Sequence, residues 1–570
     1  MKKEGVNRFS EMQAHLIPAS WSTPSFSSRL ILWFFPLLFL ILFFFFPLSK
    51  IVAISFDSSA IANADTPAVV LHAIGFTFYQ ATLSTILTFI LGLPSAVLFA
   101  RFDFRGKAFL RALTAIPFML PTVVVAAAFN SLLGQNGWVQ LFSSFLFSNA
   151  SVDTFQFQGT LIAILVAHVF YNTTIVIRLV SSALSRLDPK LEQVSRSLGA
   201  NPLRTWRYVT LPLLSPAILS AALLVFLFDF TSFGVILLLG GTNFSTLEVE
   251  IYLRVLKLPN LPLAALLAVI QLVFTLIISL LYSSIVSQTT TQTAPRFSTS
   301  HPPKSLREKI FVVSFIILLF SFFFLPLASL PLRSITRLEA DRGDRKELQY
   351  GLTTEYYQEL FINRRGSLFY VPPIQAIVNS LSIAALTVLL SLLLGFPAAF
   401  VLAKPTLLEK ILDPLIMLPL GSSAVMLGLG FIITFGRALA SPIFIPIAHS
   451  LVALPFVIRA LQPAIASIPE RLRQAASTLG ASPLRVWQTV DWPILSRAIL
   501  AAATFAFTIS LGEFGATLLL ARPELPTIPI AISRFLSQAG GLNYGQAMAM
   551  STILMAVTIT SILFMERNNA

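Results

Sequence analysis

QVSRSLGANPLRTWRYVTLPLLSPAI, residues Gln193–Ile218, returns as QAASTLGASPLRVWQTVDWPILSRAI, residues Gln474–Ile499, at a constant offset of 281. Fourteen of the 26 aligned positions are identical, among them Gly199/Gly480, Pro202/Pro483, Arg204/Arg485, Trp206/Trp487 and Pro212/Pro493. The stretch is polar, and a hydrophobic chain surrounds it. A connector repeated this closely implies one surface built twice, on a chain made of two homologous halves.

The rest of the chain extends the repeat. His168/His449, Val176-Ile177-Arg178 with Val457-Ile458-Arg459, and Phe233-Gly234 with Phe514-Gly515 keep the same offset, whereas LGLPSAVLFA at Leu91–Ala100 matches LGFPAAFVLA at Leu394–Ala403 at offset 303. The halves therefore differ by insertions in loops. Between them, SQTTTQTAPRFSTSHPPKS at Ser287–Ser305 is Thr/Ser/Pro-rich and reads as a flexible connector.

Composition sets the class. With 56% hydrophobic and 11% charged residues and 51 Phe in 570, the chain lacks the charge of a soluble globule, which runs at about 25%. Apolar runs of about 20 residues cross roughly 30 Å of hydrocarbon as helices, because lipid leaves no partner for an open sheet edge. Twelve such runs are expected: Leu30–Ile54, Ile74–Ala100, Phe109–Leu133, Gly159–Val180, Leu213–Gly240, Pro262–Val286, Ile310–Leu332, Ile374–Ala403, Ile411–Phe435, Ser441–Leu461, Ile494–Ala521 and Tyr544–Met565. The fold class is an all-α polytopic membrane protein of two six-helix halves. Its expected parts are a tail at 1–29, a first half at 30–286 with the repeated loop at 181–212, a linker at 287–309, and a second half at 310–566 with the repeated loop at 462–493. The first apolar run follows a polar stretch and lacks a small-x-small cleavage site, so it is expected to stay as a helix.

Orientation follows from Lys and Arg, which collect on the cytoplasmic side. With both termini inside, the inner segments hold 26 of the 39, and the outer loops Phe56–Ala73 and Gly134–Gln158 hold none. Residues Arg333–Arg365 carry seven basic residues on the outer side and are read as a solvated segment. The net charge of +14 is explained by this pattern, and no nucleic-acid partner is needed. The absence of cysteine excludes disulfides and thiolate chemistry. An even helix count per half makes the repeats parallel and places both repeated loops on the inner face.

Those loops have readable local structure. Gly199 and Gly480 each permit the left-handed turn that ends one short helix. Asn201-Pro202 and Ser482-Pro483 supply an N-cap followed by Pro at the first helical position, so a second short helix is expected at once. It carries Leu203, Arg204 and Trp206, or Leu484, Arg485 and Trp487, as an apolar and aromatic knob for a partner's cleft. The alternative is a pair of interfacial helices on lipid headgroups.

The spacing of Gly199 with Val209 and Leu211-Pro212, and of Gly480 with Val490 and Trp492-Pro493, resembles the E-A-A-x3-G-x9-I-x-L-P signature of permeases of binding-protein-dependent ABC importers. The family's Glu position is occupied here by Gln193 and Gln474. The resemblance covers both halves and implies a fused type I importer permease in a bacterial inner membrane. It implies that Gln193, Leu198, Gly199, Ala200, Pro202, Leu203, Arg204, Trp206 and Pro212 couple to one ATPase subunit, and Gln474, Leu479, Gly480, Ala481, Pro483, Leu484, Arg485, Trp487 and Pro493 to a second copy.

No GxxxxGK[ST] phosphate loop occurs, so ATP and Mg belong to that ATPase and no cofactor is expected in this chain. A separate extracytoplasmic solute-binding protein is likewise expected. Nor does any catalytic constellation or clustered metal-ligand pattern occur, so the chain is not expected to be an enzyme. Asp229 in LVFLFDFTSFG and Glu513 in FTISLGEFG are intramembrane acids and candidates for the substrate path, favouring a cationic solute. His168 and His449 read as interhelical bonding groups. SFGVILLLGG…TLEVEIY and SLGEFGATLLL…TIPIAI resemble the thiamine and ferric-iron permeases, whereas sulfate and molybdate permeases resemble one half only. The rival function class is a twelve-helix secondary transporter driven by an ion gradient, which needs no paired docking loops.

Overall fold

Small side chains decide how the two halves are built. The buried face of helix α2 (Thr66–Arg101) carries Thr77, Ala81, Ser84, Thr88 and Gly92, and the buried face of α11 (Gln375–Leu402) carries Ser380, Ala384, Thr387, Ser391 and Gly395 at offset 303. Without a hydrophobic drive between helices in lipid, such stripes let backbones approach closely. A Cβ on Gly92 would lie 2.7 Å from Val176 Cβ on α5 (Leu161–Leu184), and one on Gly395 would lie 2.7 Å from Val457 Cγ1 on α14 (Phe444–Ala466). These two pairs form the backbone of the two halves.

The computed structural model describes residues 26–57, 66–134, 137–139, 157–289, 300–337, 351–363 and 371–569. Most of the expected tail (1–25), the middle of the linker (290–299), the outer stretches 338–350 and 364–370, and parts of the outer loops (58–65, 135–136, 140–156) lie outside the described residues. Among the described residues the chain is helical, with only two isolated β-bridges.

Among the described residues ten helices are long and apolar enough to cross a membrane, and counting each of two bent pairs as one span brings the number to twelve. The continuous ones are α1 (Ser27–Ser55), α2, α5, α7 (Pro202–Phe230), α9 (Leu261–Ile285), α10 (Leu306–Ser334), α11, α14, α16 (Pro483–Gly512) and α19 (Gly541–Met565). The expected spans Phe109–Leu133 and Ile411–Phe435 are broken. The first divides into α3 (Lys107–Met119) and α4 (Thr122–Leu133), bent by 113°, and the second into α12 (Leu407–Gly421) and α13 (Ala424–Phe435), bent by 96°. Leu120 before Pro121 is extended (ψ 144°), as the proline ring requires, and Ser422 is extended (ψ 145°) while Ser423 Oγ accepts from Met426 N at 2.9 Å to start the next helix.

Two further expected spans stop early. Leu213–Gly240 ends its helix at Phe230, and Ile494–Ala521 breaks at Glu513 before α17 (Gly515–Leu520). After each break a short helix turns back into the core: α8 (Leu247–Leu256) and α18 (Ile528–Leu536). Their first free N–H groups are matched, Leu247 N donating to Thr77 Oγ1 at 3.0 Å and Ile528 N to Ser380 Oγ at 2.8 Å.

The first helix of each half crosses to the other. Helix α1 packs on α11 and α13 and pairs Arg29 with Glu409 of α12 at 2.9 Å, and α10 packs on α3 and α4, where the Ser329 and Ser131 hydroxyls bond. The linker reads in sequence as a flexible connector, but its described end is held. Asp103 N donates to His301 O and His301 N to Arg101 O, both at 3.0 Å, and a Ser305/Glu308 capping box starts α10 four residues before the expected Ile310.

Candidate functional site: twin coupling elements and a carboxylate cavity

Helix α6 (Pro189–Ser197) begins with Asp188 Oδ1 accepting from Lys190 N at 2.9 Å and with Pro189 in the first turn. It ends at Leu198, after which Gly199 takes φ +88° and Gly480 takes φ +80° at the equivalent end of α15 (Glu470–Thr478). Ala200 N donates to Ser195 O and Ala481 N to Ala476 O, each at 3.1 Å, closing the same turn twice. Asn201 Oδ1 then caps Arg204 N at 2.8 Å, whereas Ser482 makes no such bond.

The expected second short helix is not a separate element. Pro202 and Pro483 open a helical turn that passes through a π-turn, Trp206–Thr210 or Trp487–Asp491, directly into α7 or α16. No break separates the loop from the membrane helix. The tryptophans are not the expected knob either. Trp206 packs by Ala100, Leu184 and Leu214, and Trp487 sits edge-on to Phe396 at 5.9 Å, since a large ring at the first buried turn gains more by packing inward. The protruding side chains are leucines, Leu198, Leu203, Leu479 and Leu484 being 83%, 74%, 88% and 66% exposed, with Arg204 and Arg485 exposed beside them. Gln193, Gln474, Pro212 and Pro493 are exposed, and Ala200 and Ala481 are half-buried in the turns.

Each element is locked to its membrane helix by a different charge pattern. In the first half Glu192 is gripped by both terminal nitrogens of Arg101 and accepts from Thr210 Oγ1 at 2.8 Å. The hydrogen bonds from Arg101 hold the Glu192 carboxyl below its ordinary range. At the equivalent positions of the second half, Arg473 Nε donates to Asp491 Oδ1 at 2.8 Å, and Lys404 pairs with Glu470 at 3.0 Å.

Between the halves lies a cavity of about 400 Å³ where the two helix breaks meet. Phe233 and Phe514, equivalent by the repeat, stack across it with ring centroids 5.8 Å apart, and Phe118, Phe228 and Phe505 extend the aromatic wall. No Lys or Arg is among the described residues that line it. Asp229 and Glu513 both do, and their mismatch in the alignment has a structural meaning. His168 lies 3.4 Å from Asp229 through Nδ1 and bonds Ser232 through Nε2 at 2.8 Å; His449 bonds Ser510 through Nδ1 at 2.8 Å and lies 3.1 Å from Glu513 through Nε2. Acid and serine have exchanged places around a common histidine.

A third acid was missed from the sequence. Glu248, at the start of α8, is buried on the cavity wall with Gln271 Nε2 donating to its Oε1. TLEVEIY places it in an apolar segment, but the segment reads as an outer loop unless α8 is known to turn back into the core.

Residues 88–291 match the family described as binding-protein-dependent transport system inner membrane component. Full-length relatives extend the match across both halves: the thiamine transport system permease protein ThiP of Brucella abortus (26% identical, 89% of either chain), that of Escherichia coli K12 (26%, 83% of this chain and 85% of the relative) and that of Haemophilus influenzae (27%, 86% and 87%). Residues 88–291 thus resemble this inner-membrane permease domain, and the similarity to thiamine permeases runs through both halves. These matches, with the long apolar helices, support a multi-pass inner-membrane transport subunit and give no support to the ion-gradient alternative.

Proposed function

We propose that this permease carries thiamine inward, driven by two copies of an ABC ATPase that clasp Leu198/Leu203/Arg204 and Leu479/Leu484/Arg485. ATP and Mg are held by those subunits, and an extracytoplasmic binding protein delivers the solute to the opposite face. Both termini and both coupling elements face the cytoplasm, in line with 26 of 39 basic residues on that side. The two halves run over 30–286 and 310–566, with coupling loops at 181–212 and 462–493.

The observation that carries the reading is a pair of continuous rods. Helix α7 runs without interruption from the exposed turn at Pro202 to Asp229 at the cavity, and α16 runs from Pro483 to the residue before Glu513. At 1.5 Å per residue each rod is roughly 40 Å long. Moving its outer end on a partner must move the cavity wall, so closure of the ATPase pair is transmitted as a rocking of the two halves around the cavity. Thiamine is preferred to iron(III) because the similar permeases bear that name and because an aromatic, anionic cavity suits a flat organic cation.

The test replaces the two positive-φ glycines. Gly199→Val and Gly480→Val strain a left-handed turn where no neighbour lies within reach of a new Cβ, so the damage is confined to the coupling turn. ATP-driven thiamine uptake into proteoliposomes and ATPase co-purification are expected to fall together. Uptake and assembly at the wild-type level would remove the coupling role.

A further inference from the structure

The three carboxylates of the cavity are not equivalent. Glu513 is already fully engaged: Ala516 N, Thr517 N and Thr517 Oγ1 donate to it at 2.8, 2.9 and 2.5 Å, and His449 stands at 3.1 Å. Its side chain caps the start of α17. That charge is committed to opening a helix in mid-membrane, where free N–H groups are costly.

Asp229 and Glu248 are different. Asn172 Nδ2 donates to Asp229 Oδ1 at 2.7 Å, and Gln271 donates to Glu248 Oε1. Their second oxygens, Asp229 Oδ2 and Glu248 Oε2, are buried and make no hydrogen bond of normal geometry among the described residues, although the Ser84 and Ser423 hydroxyls stand near them. Both residues line the same cavity, and both come from the first half; their equivalents in the second half are Ser510 and Pro529. Two buried carboxyl oxygens without a hydrogen bond of normal geometry, in an aromatic chamber whose described lining holds no Lys or Arg, are acceptors left incompletely filled. A cationic ligand fills them, because a buried acceptor without a full partner is costly and a positive charge placed beside a carboxyl favours its ionised form.

We propose that the permease has its own solute site, in which Asp229 and Glu248 bind a flat organic cation against the Phe233–Phe514 pair, while Glu513 only builds the wall. This rests on the importer reading and adds that the permease itself selects its solute. Charge–charge attraction and the ring faces act on the same ligand, and the volume of about 400 Å³ lies in the range of small-molecule sites.

The experiment uses the full chain with its ATPase in nanodiscs, without the binding protein, and reads equilibrium binding of labelled thiamine and of its neutral aminopyrimidine fragment. Wild type is expected to prefer the cation by roughly tenfold or more; Asp229→Asn and Glu248→Gln each lose about that factor, and Glu248→Asp recovers part of it. Glu513→Gln changes affinity by less than about threefold while lowering the melting temperature. Equal binding of cation and neutral fragment by wild type overturns the proposal even where a variant fails to assemble. Uptake driven by the complete importer separates the two ideas: thiamine uptake without direct binding sinks the permease site alone, and absence of thiamine uptake by wild type sinks the functional reading beneath it.

Discussion

Arg473 Nε donates to Asp491 Oδ1 at 2.8 Å where the first half has Glu192 accepting from Thr210, so the two coupling elements are fastened at identical positions by opposite charges. Arg473 and Asp491 are both buried. Asp491→Ala therefore leaves a buried guanidinium with Glu470, 3.9 Å away, as its acidic neighbour. The expected loss is about 2–4 kcal/mol locally. Thr210→Ala in the first half removes one neutral donor and costs about 1 kcal/mol. Trypsin cleavage at exposed Arg485, against cleavage at Arg204, measures the difference; equal acceleration by the two substitutions would contradict it.

The first lock is also acid-sensitive. Arg101 holds the Glu192 carboxyl below its ordinary value of 4.5. A lowered carboxyl stabilises the folded loop above its ordinary value and loses that contribution as pH falls through the lowered one. The first element is expected to stay fastened through neutral and mildly acidic pH and to loosen below about 4.5. Because the chain has no cysteine, Leu198→Cys supplies a single labelling site, and an environment-sensitive dye there reads the transition. Glu192→Gln should abolish it, and a transition near neutrality would contradict the assignment.

Close approach in the membrane gives a third prediction. Gly92→Ala puts a Cβ 2.7 Å from Val176 Cβ, and Gly395→Ala puts one 2.7 Å from Val457 Cγ1. Each is expected to cost roughly 1–3 kcal/mol by overpacking. Val176→Ala in the first background and Val457→Ala in the second open the space again. Recovery of at least half the lost melting temperature is expected; no recovery would show that the strain lies elsewhere.

How far these features could be read in advance depended on the physics behind each. Span number followed from length and hydropathy, which respond to every residue in a window. The bends at Leu120-Pro121 and Ser422-Ser423 did not, because one missing N–H or one capping hydroxyl barely changes a window average. Gly199 and Asn201-Pro202 announced their turn, since few residues accept those backbone angles. Trp206 misled because an aromatic ring serves a docking knob and a packed turn equally well, and only the fold decides which. Asp229 and Glu513 stood out as acids in apolar runs. That one keeps an unbonded oxygen and the other caps a helix depends on backbone geometry after the break, which is also why Glu248 went unread.

The last prediction concerns the helix that crosses between halves. Arg29 on α1 pairs with Glu409 of the second half at 2.9 Å and also donates to Lys404 O at 3.1 Å, while Trp33 Nε1 reaches the same carboxylate at 3.4 Å. Both charged side chains are buried. Arg29→Leu removes the positive member and leaves Glu409 with Thr406 and Trp33 as donors, at an expected cost of about 2–4 kcal/mol. If the cost comes from the stranded carboxylate rather than from lost attraction, then replacing both members, Arg29→Leu with Glu409→Leu, should restore most of the stability, because well-packed apolar pairs commonly equal buried ion pairs. Thr406 would then lose its capping partner, a residual cost of about 1 kcal/mol. Thermal unfolding of the two variants in nanodiscs decides between these origins: a double variant as unstable as the single one would mean that the ion pair itself holds α1 to the second half.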